Sequence, residues 1–317
     1  MSAYTPITPP NRINQRRVPI KSWWKVILNG LNPNAYTFII PFLIIFLIFR
    51  IYPFLSGVYT SFTNARIGPR TPKFIGLENY FEVFSSSEVG RAFFVTFHYT
   101  MMVVPMTFFI ALAMAVYVNS KFPAHTLSRF VFFAPFVLTA SIVAIIWNWM
   151  FQTQFGLVNV TMDLIGLPGR TPWLRDTTLV LPVIAFISSW WVAGFSMVIF
   201  LAALQNIPGD LNEAARIDGA NSWQIFWRVT FPLLLPASTL VITVSLIEAM
   251  RVFSIIHIIT YGGPSDYTTS VVFYIFQEGF TRFEQGMASA IGVVLFLVIM
   301  ILTILRFTLL RGDQKYY

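Results

Sequence analysis

DLNEAARIDGANSWQIFWRVTFPLLLP, residues Asp210–Pro236, is the most polar and most patterned stretch of an otherwise strongly apolar chain, and it lies between two apolar runs. Asp210, with Glu213 three residues on, matches a capping box, so a short helix is predicted to begin there. Ala214 and Ala215 set two of the smallest side chains together, which lets another surface approach the backbone. Gly219 supplies a left-handed residue to stop the helix. Ser222 is placed to cap a second helix, Trp223–Thr230, that ends before Pro232. The expected product is a helix, a glycine turn and a second helix, acidic and small on one side and aromatic (Trp223, Phe226, Trp227) on the other. Helix chemistry alone also allows a plain interfacial connector between two membrane helices.

Outward from this stretch the chain is membrane-like. Of 317 residues, 56% are hydrophobic and 11% charged, with a mean hydropathy of +0.69, which describes a polytopic membrane protein rather than a soluble domain. Cysteine is absent, so there is no disulfide framework, thiol nucleophile or thiolate metal site. The net charge of +8 does not point to nucleic acid. Arg12, Arg16, Arg17, Lys21 and Lys25 form a basic tail before the first apolar run, which fits membrane topology and anionic lipid. That run is long enough to span, so an uncleaved segment is expected.

Apolar length predicts an all-α chain with six membrane spans, near residues 36–59, 92–118, 130–150, 178–204, 237–259 and 287–310. The organisation expected is a basic tail over 1–33 with an interfacial helix at Ser22–Leu31, a six-span domain over 34–311 that holds the loop 208–236, and a short tail over 312–317. Arg50 inside the first span is expected to snorkel. Phe74, Leu77, Tyr80, Phe81 and Phe84 mark a short amphipathic piece in the first outer loop. His98, His125 and His257 have no partners at metal-ligand spacing.

Candidate pathway residues lie in the fourth and fifth spans. Ser188, Trp190, Trp191 and Ser196 combine hydroxyls with adjacent indoles, and aromatic faces stack on sugar rings. The alternative is tight helix packing through small residues, Gly194 included. Glu248 and Arg251, three apart on one helical face, neutralise each other or face a wet cavity. Gly262-Gly263-Pro264 breaks the chain as it leaves the membrane. With both termini inside, 12 of the 21 Lys and Arg fall in inner segments and seven in outer ones, the other two being Arg50 and Arg251. The positive-inside bias therefore gives cytoplasmic N- and C-termini.

No GxxxxGK[ST] occurs, so the chain carries no P-loop. No triad or carboxylate pair stands at recognisable spacing, and the chain on its own is read as a non-enzyme.

Glu213-Ala214-Ala215, with Gly219 six positions after the glutamate and then Pro232, resembles the EAA loop of ABC importer permeases. The fuller run LQNIPGDLNEAARIDGANSWQIFWRVTFPLLLPA is similar to the carbohydrate-type branch of that family. FRIYPFLSGVYTSFT, PKFIGLENYFEVF and Thr260–Gly262–Gly263–Pro264 add to the likeness, which covers residues 36–310. Ser254 departs from it, standing where the family often has an acid. The resemblance implies that the loop is a cytoplasmic coupling helix docking into an ATPase subunit, carried by Glu213, Ala214, Ala215, Asp218, Gly219 and Pro232. It implies a second homologous permease as heterodimer partner, two ATPase subunits and an extracytoplasmic solute-binding protein, with membrane lipid around and no nucleic acid. ATP and Mg would sit on the partner ATPase, leaving no cofactor here.

The expected cargo is a mono- or oligosaccharide, with glycerol phosphate or another polyol as the alternative. Because Glu248 is expected to cancel Arg251, a neutral sugar is favoured. A secondary transporter run by an ion gradient is the competing class. It predicts internal repeats and acidic relays, of which the sequence offers one deep acid, Glu248.

Overall fold

The structure, a computed structural model, describes residues 33–69, 71–120 and 125–310. The tails, the Ser22–Leu31 helix expected in the first of them, and Lys121 lie outside the described residues, Pro33 excepted. The chain divides into two compact units at Ser56 and Gly57.

The first unit is most of helix α1 (residues 33–60), which is α-helical over Pro33–Phe46, π-helical over Leu47–Ile51 and α-helical again over Tyr52–Thr60. None of its described side chains is buried, Arg50 included. An all-round apolar helix with no buried face belongs in lipid or against another chain.

The second unit contains α2 (Glu78–Ser85), α3 (Ser87–Asn119), α4 (His125–Val137), α5 (Ala140–Met150), α6 (Leu157–Leu164) and α7 (Val180–Gln205). After these come α8 (Gly209–Ile217), α9 (residues 222–233), α10 (Leu235–Met250), α11 (Ser254–Ile259), α12 (residues 271–281) and α13 (Gln285–Leu310). Among the described residues, four helices are long and apolar enough to cross a membrane: Ile39–Thr60, Ser87–Asn119, Val180–Gln205 and Gln285–Arg306. The count reaches six only when two bent pairs each serve as one span.

Those two pairs add breaks that the apolar ranges did not reveal. The run read as a single third span turns by 100° between Val137 and Ala140. Pro135 lies just upstream, and Thr139 is extended and accepts at its Oγ1 from the Ile142 N–H, so a fresh helix is capped in the middle of an apolar run. The fifth span also differs. α10 starts at Leu235, bent by 67° from the helix before it, and stops at Met250, with Phe253 off the helical region and α11 beginning at Ser254. Sixteen residues reach only about 24 Å, short of a hydrocarbon core of about 30 Å.

α3 and α7 run parallel as the spine of this unit. Tyr99 meets Ser188 and Phe108 meets Phe200 at successive levels along the two helices. Gly194 permits a close crossing of α4 over α7: a Cβ there would lie 2.4 Å from the Phe132 carbonyl oxygen. Away from α8, the second unit is braced by polar contacts. Asn79 donates to the carbonyls of Ser61 and Thr63, and Arg282 bridges Glu88 and Glu278. Four of the five aromatic and leucine side chains expected on one face of the α2 region (Phe74, Leu77, Phe81 and Phe84) are exposed. Tyr80 turns inward to share a hydrogen bond with Ser61.

Candidate functional site: a coupling hairpin and a cavity between broken helices

α8 and α9 form the predicted helix–turn–helix, with two changes at the caps. α8 opens two residues earlier than expected, with Pro208 rather than Asp210 at the N-cap and no side-chain cap, so the Asp210–Glu213 capping box does not form. Pro208 has no N–H and a fixed φ, and it opens the helix before Asp210 can cap it. The second cap is Asn221 rather than Ser222. Asn221 accepts from the Gln224 N–H, and Gln224 accepts from the Asn221 N–H, both at 2.9 Å, completing a capping box one residue earlier than expected.

The turn itself is as read. Gly219 has φ +83°, its N–H donates to Arg216 O, and the Ala220 N–H donates to Ala215 O, both at 3.0 Å. This pair of bonds is a Schellman closure, in which a glycine takes the left-handed position after the C-cap Asp218. Glu213, Ala214, Asp218 and Gly219 are exposed, Ala215 and Pro232 are half-buried, and no residue of α8 is buried. Leu211 and Ile217 also stand exposed, Ile217 at 87%. α8 is thus a capped lever with a bare face. Behind it, α9 continues past Thr230, through a π-helical turn Phe226–Thr230 and Phe231–Leu233, to the bend at the fully buried Leu234. Trp223, Trp227 and Phe231 pack in series along it, the first pair edge-on and the second tilted, with centroids 5.5 and 5.0 Å apart.

The second feature is a cavity of about 180 Å³ among α3, α5, α7, α10 and α11. Ser188, Trp191, Glu248 and Arg251 all line it, as does Ser254. Trp190 does not; it packs edge-on against Trp147 at 5.3 Å in the apolar core. Ser196 is buried lower on α7, off the lining. Adjacent residues on a helix point about 100° apart, so only one of two neighbouring indoles can face the same space.

Sequence reading did not single out Tyr99, Thr107 and Ser245, which also line the cavity. Tyr99 donates to Ser188 Oγ at 2.6 Å. Thr107 Oγ1 and Ser245 Oγ are buried and have no hydrogen-bond partner among the described residues. The one available signal was hydroxyl side chains inside apolar spans, and it does not tell a cavity from a helix seam.

The two helix breaks bound this cavity. At the first, the freed Leu138 carbonyl accepts from Trp191 Nε1 at 3.1 Å. At the second, Val252 O accepts from Ser270 Oγ at 2.8 Å. Irregular backbone at membrane depth is tolerated where it is satisfied by neighbours and lines a cavity. Glu248 and Arg251 lie at the end of α10, 4.0 Å apart, with side chains 60% and 62% exposed. So slack and exposed a pair is worth about 0–1 kcal/mol and does not hold Arg251 in place.

Known proteins resemble this chain in sequence and in fold. Residues 82–311 match the family "Binding-protein-dependent transport system inner membrane component". The chain is 35% identical over 280 residues to the probable ABC transporter permease protein YesP of Bacillus subtilis (strain 168), covering 87% of this chain and 90% of that one. It is 31% identical over 271 residues to the trehalose/maltose transport system permease protein MalF of Thermococcus litoralis, covering 85% and 91%. Among solved structures, a chain of a bacterial alginate ABC transporter in complex with a pentasaccharide-bound periplasmic protein superposes with a TM-score of 0.80 at 23% identity, over 93% of this chain and 99% of that one; at that identity the likeness speaks for the fold. A family match over more than half the chain, joined to the EAA hairpin and the broken spans, makes this protein a multi-pass inner-membrane permease of the binding-protein-dependent ABC transporter family.

Proposed function

We propose that the chain is the saccharide-translocating permease of an ABC importer, in which α8 transmits the ATPase stroke and the cavity at Trp191 holds sugar in transit. The observation that carries the cargo is the pair of buried, unpartnered hydroxyls of Thr107 and Ser245 beside an indole face. Leaving a buried polar group unpaired costs about 1–3 kcal/mol. A hydroxylated ligand relieves that cost, and a flat indole suits the face of a sugar ring. The kinship with a trehalose/maltose permease supports the same class.

The cavity is smaller than small-molecule sites, which run about 300–1,000 Å³. This fits a half-site completed by a second, homologous permease, as the resemblance implies. Two ATPase subunits would meet the exposed faces of the two coupling hairpins, and a solute-binding protein would deliver at the far end. The Lys and Arg distribution supports cytoplasmic termini and puts α8 where ATP is. Glu213 offers an exposed carboxylate to the ATPase, and Ala214 and Ala215 let it come close. Closing of the ATPase pair on ATP would carry both hairpins and tip the helices between inward- and outward-facing states, each favoured by a different ligand.

The test is purification from native membrane in gentle detergent, identification of every partner by mass spectrometry, and uptake of labelled oligosaccharide into ATP-loaded proteoliposomes. A second permease, a P-loop ATPase and ATP-dependent uptake are expected. Uptake that follows an ion gradient without an ATPase would replace this reading with a secondary transporter.

A further inference from the structure

A second cavity lies on the same helix seam, at the end of the molecule away from α8. It has a volume of about 390 Å³ and is lined by Asn148, Gln152, Thr153, Arg175 and Thr260, with the Gly263–Pro264 backbone beside them. α5 and α11 each line both cavities. On α5, Ala140 faces the inner one and Asn148 the outer; on α11, Ser254 faces the inner one and Ile259 the outer. Ala140 to Asn148 is about 12 Å along a helix, so the two spaces are consecutive along one seam.

The chemistry of the outer cavity differs from that of the inner one. The side-chain amides of Asn148 and Gln152 and the Thr153 hydroxyl make no hydrogen bond among the described residues. Thr260 is already committed, donating to Ile256 O and sharing a bond with Thr268. Arg175 is exposed, and no carboxylate lines the cavity. The neighbouring Asp176 is turned to the start of α7, where it accepts from the Thr178 N–H, the Thr178 hydroxyl and the Leu179 N–H. The inner cavity, by contrast, balances Arg251 with Glu248.

Resting on the import reading above, we infer that the outer cavity is an access subsite for an acidic saccharide. Free amides and a hydroxyl address its ring hydroxyls, and Arg175 addresses a carboxylate. A guanidinium presents a planar fork that matches a carboxylate bidentately, which a neutral sugar cannot use in full.

The absence of native cysteine makes the test clean. Thr153→Cys places a single thiol of this chain in the cavity, with Gln152→Cys as a second reporter should the first fail to assemble. The full transporter is reconstituted in proteoliposomes without its binding protein, and a membrane-impermeant methanethiosulfonate is added outside. Modification is read on this chain by mass spectrometry, with trigalacturonate or maltotriose as probe. The acidic trisaccharide should slow labelling several-fold and the neutral one distinctly less, and Arg175→Gln should remove the difference. Equal labelling with and without sugar, or equal protection by both sugars while Arg175 is present, overturns the subsite. ATP-driven uptake by the unmodified transporter is measured alongside. Uptake without protection sinks the subsite alone, and loss of uptake sinks the import reading beneath it.

Discussion

In the hairpin of α8 and α9, the groups that end one helix and begin the next are answered by residues at most five positions away: Gly219 to Arg216, Ala220 to Ala215, Asn221 to Gln224. Around the inner cavity the answers come from far along the chain. Trp191 reaches back 53 positions to Leu138 O, and Tyr99 meets Ser188 across 89. The hairpin is therefore held by local bonds, which is what the proposed lever role requires. The cavity is a tertiary object whose walls are helix ends, and it changes shape when those helices rock. A transporter that converts a stroke at one place into opening at another needs one part of each kind.

The sharpest way to break this contrast is at Gly219. No atom lies within 4 Å of a Cβ built there, so a substitution meets no steric obstacle and acts through the backbone alone. At φ +83° an L-residue pays about 1–2 kcal/mol, more if β-branched. Gly219→Val should leave the chain in the membrane at normal level while ATP-dependent uptake falls to background, because the angle between α8 and α9 is lost. Gly219→Asn, which tolerates the left-handed region, should retain most uptake. Normal uptake by the valine variant would remove the turn from the mechanism.

The next test acts on the tertiary side. Gly194 sits where α7 passes under α4, and a Cβ would press on the Phe132 carbonyl and the Phe133 backbone, neither of which is a flexible side-chain end. Gly194→Ala should cost about 1–3 kcal/mol by overpacking. It should also displace the α4–α5 break from Trp191, read as a lowered thermal midpoint of the purified transporter together with a raised KM for sugar. A variant with unchanged stability and KM would mean that the close crossing does not hold the cavity wall.

This difference in range also decides what could be read from the sequence. The EAA hairpin, its glycine stop and its two-helix form follow from cap and turn chemistry within a dozen residues. The errors there were shifts of two residues, from Asp210 to Pro208, and of one, from Ser222 to Asn221, because several capping residues stood side by side. The breaks at Thr139 and Phe253 were hidden, since composition measures only whether a run is apolar, and both breaks are stabilised by partners elsewhere, Trp191 and Ser270. Four of the six candidate pathway residues meet at the cavity, yet Tyr99, Thr107 and Ser245 were not among them. A hydroxyl in a span reads the same whether it bonds its own helix, as Thr96 and Thr100 do, or faces an empty space, as Thr107 does.

The smallest expected effect tests whether the hairpin is as self-sufficient as its local bonding suggests. Asn221 caps α9 with its side chain while its own N–H is held by Gln224. Loss of an N-cap of this kind costs about 1 kcal/mol. If the lever is held only by its local bonds, Asn221→Ala should lower ATP-coupled uptake partially, and Asn221→Ser should restore it, because serine caps almost as well. Hydrogen exchange should then quicken at the backbone amides of Ser222–Gln224, with no change at Val183–Ile187 beside the cavity. Quickened exchange at both places would show that hairpin and cavity share one cooperative unit, and the division between a local lever and a tertiary gate would have to be given up.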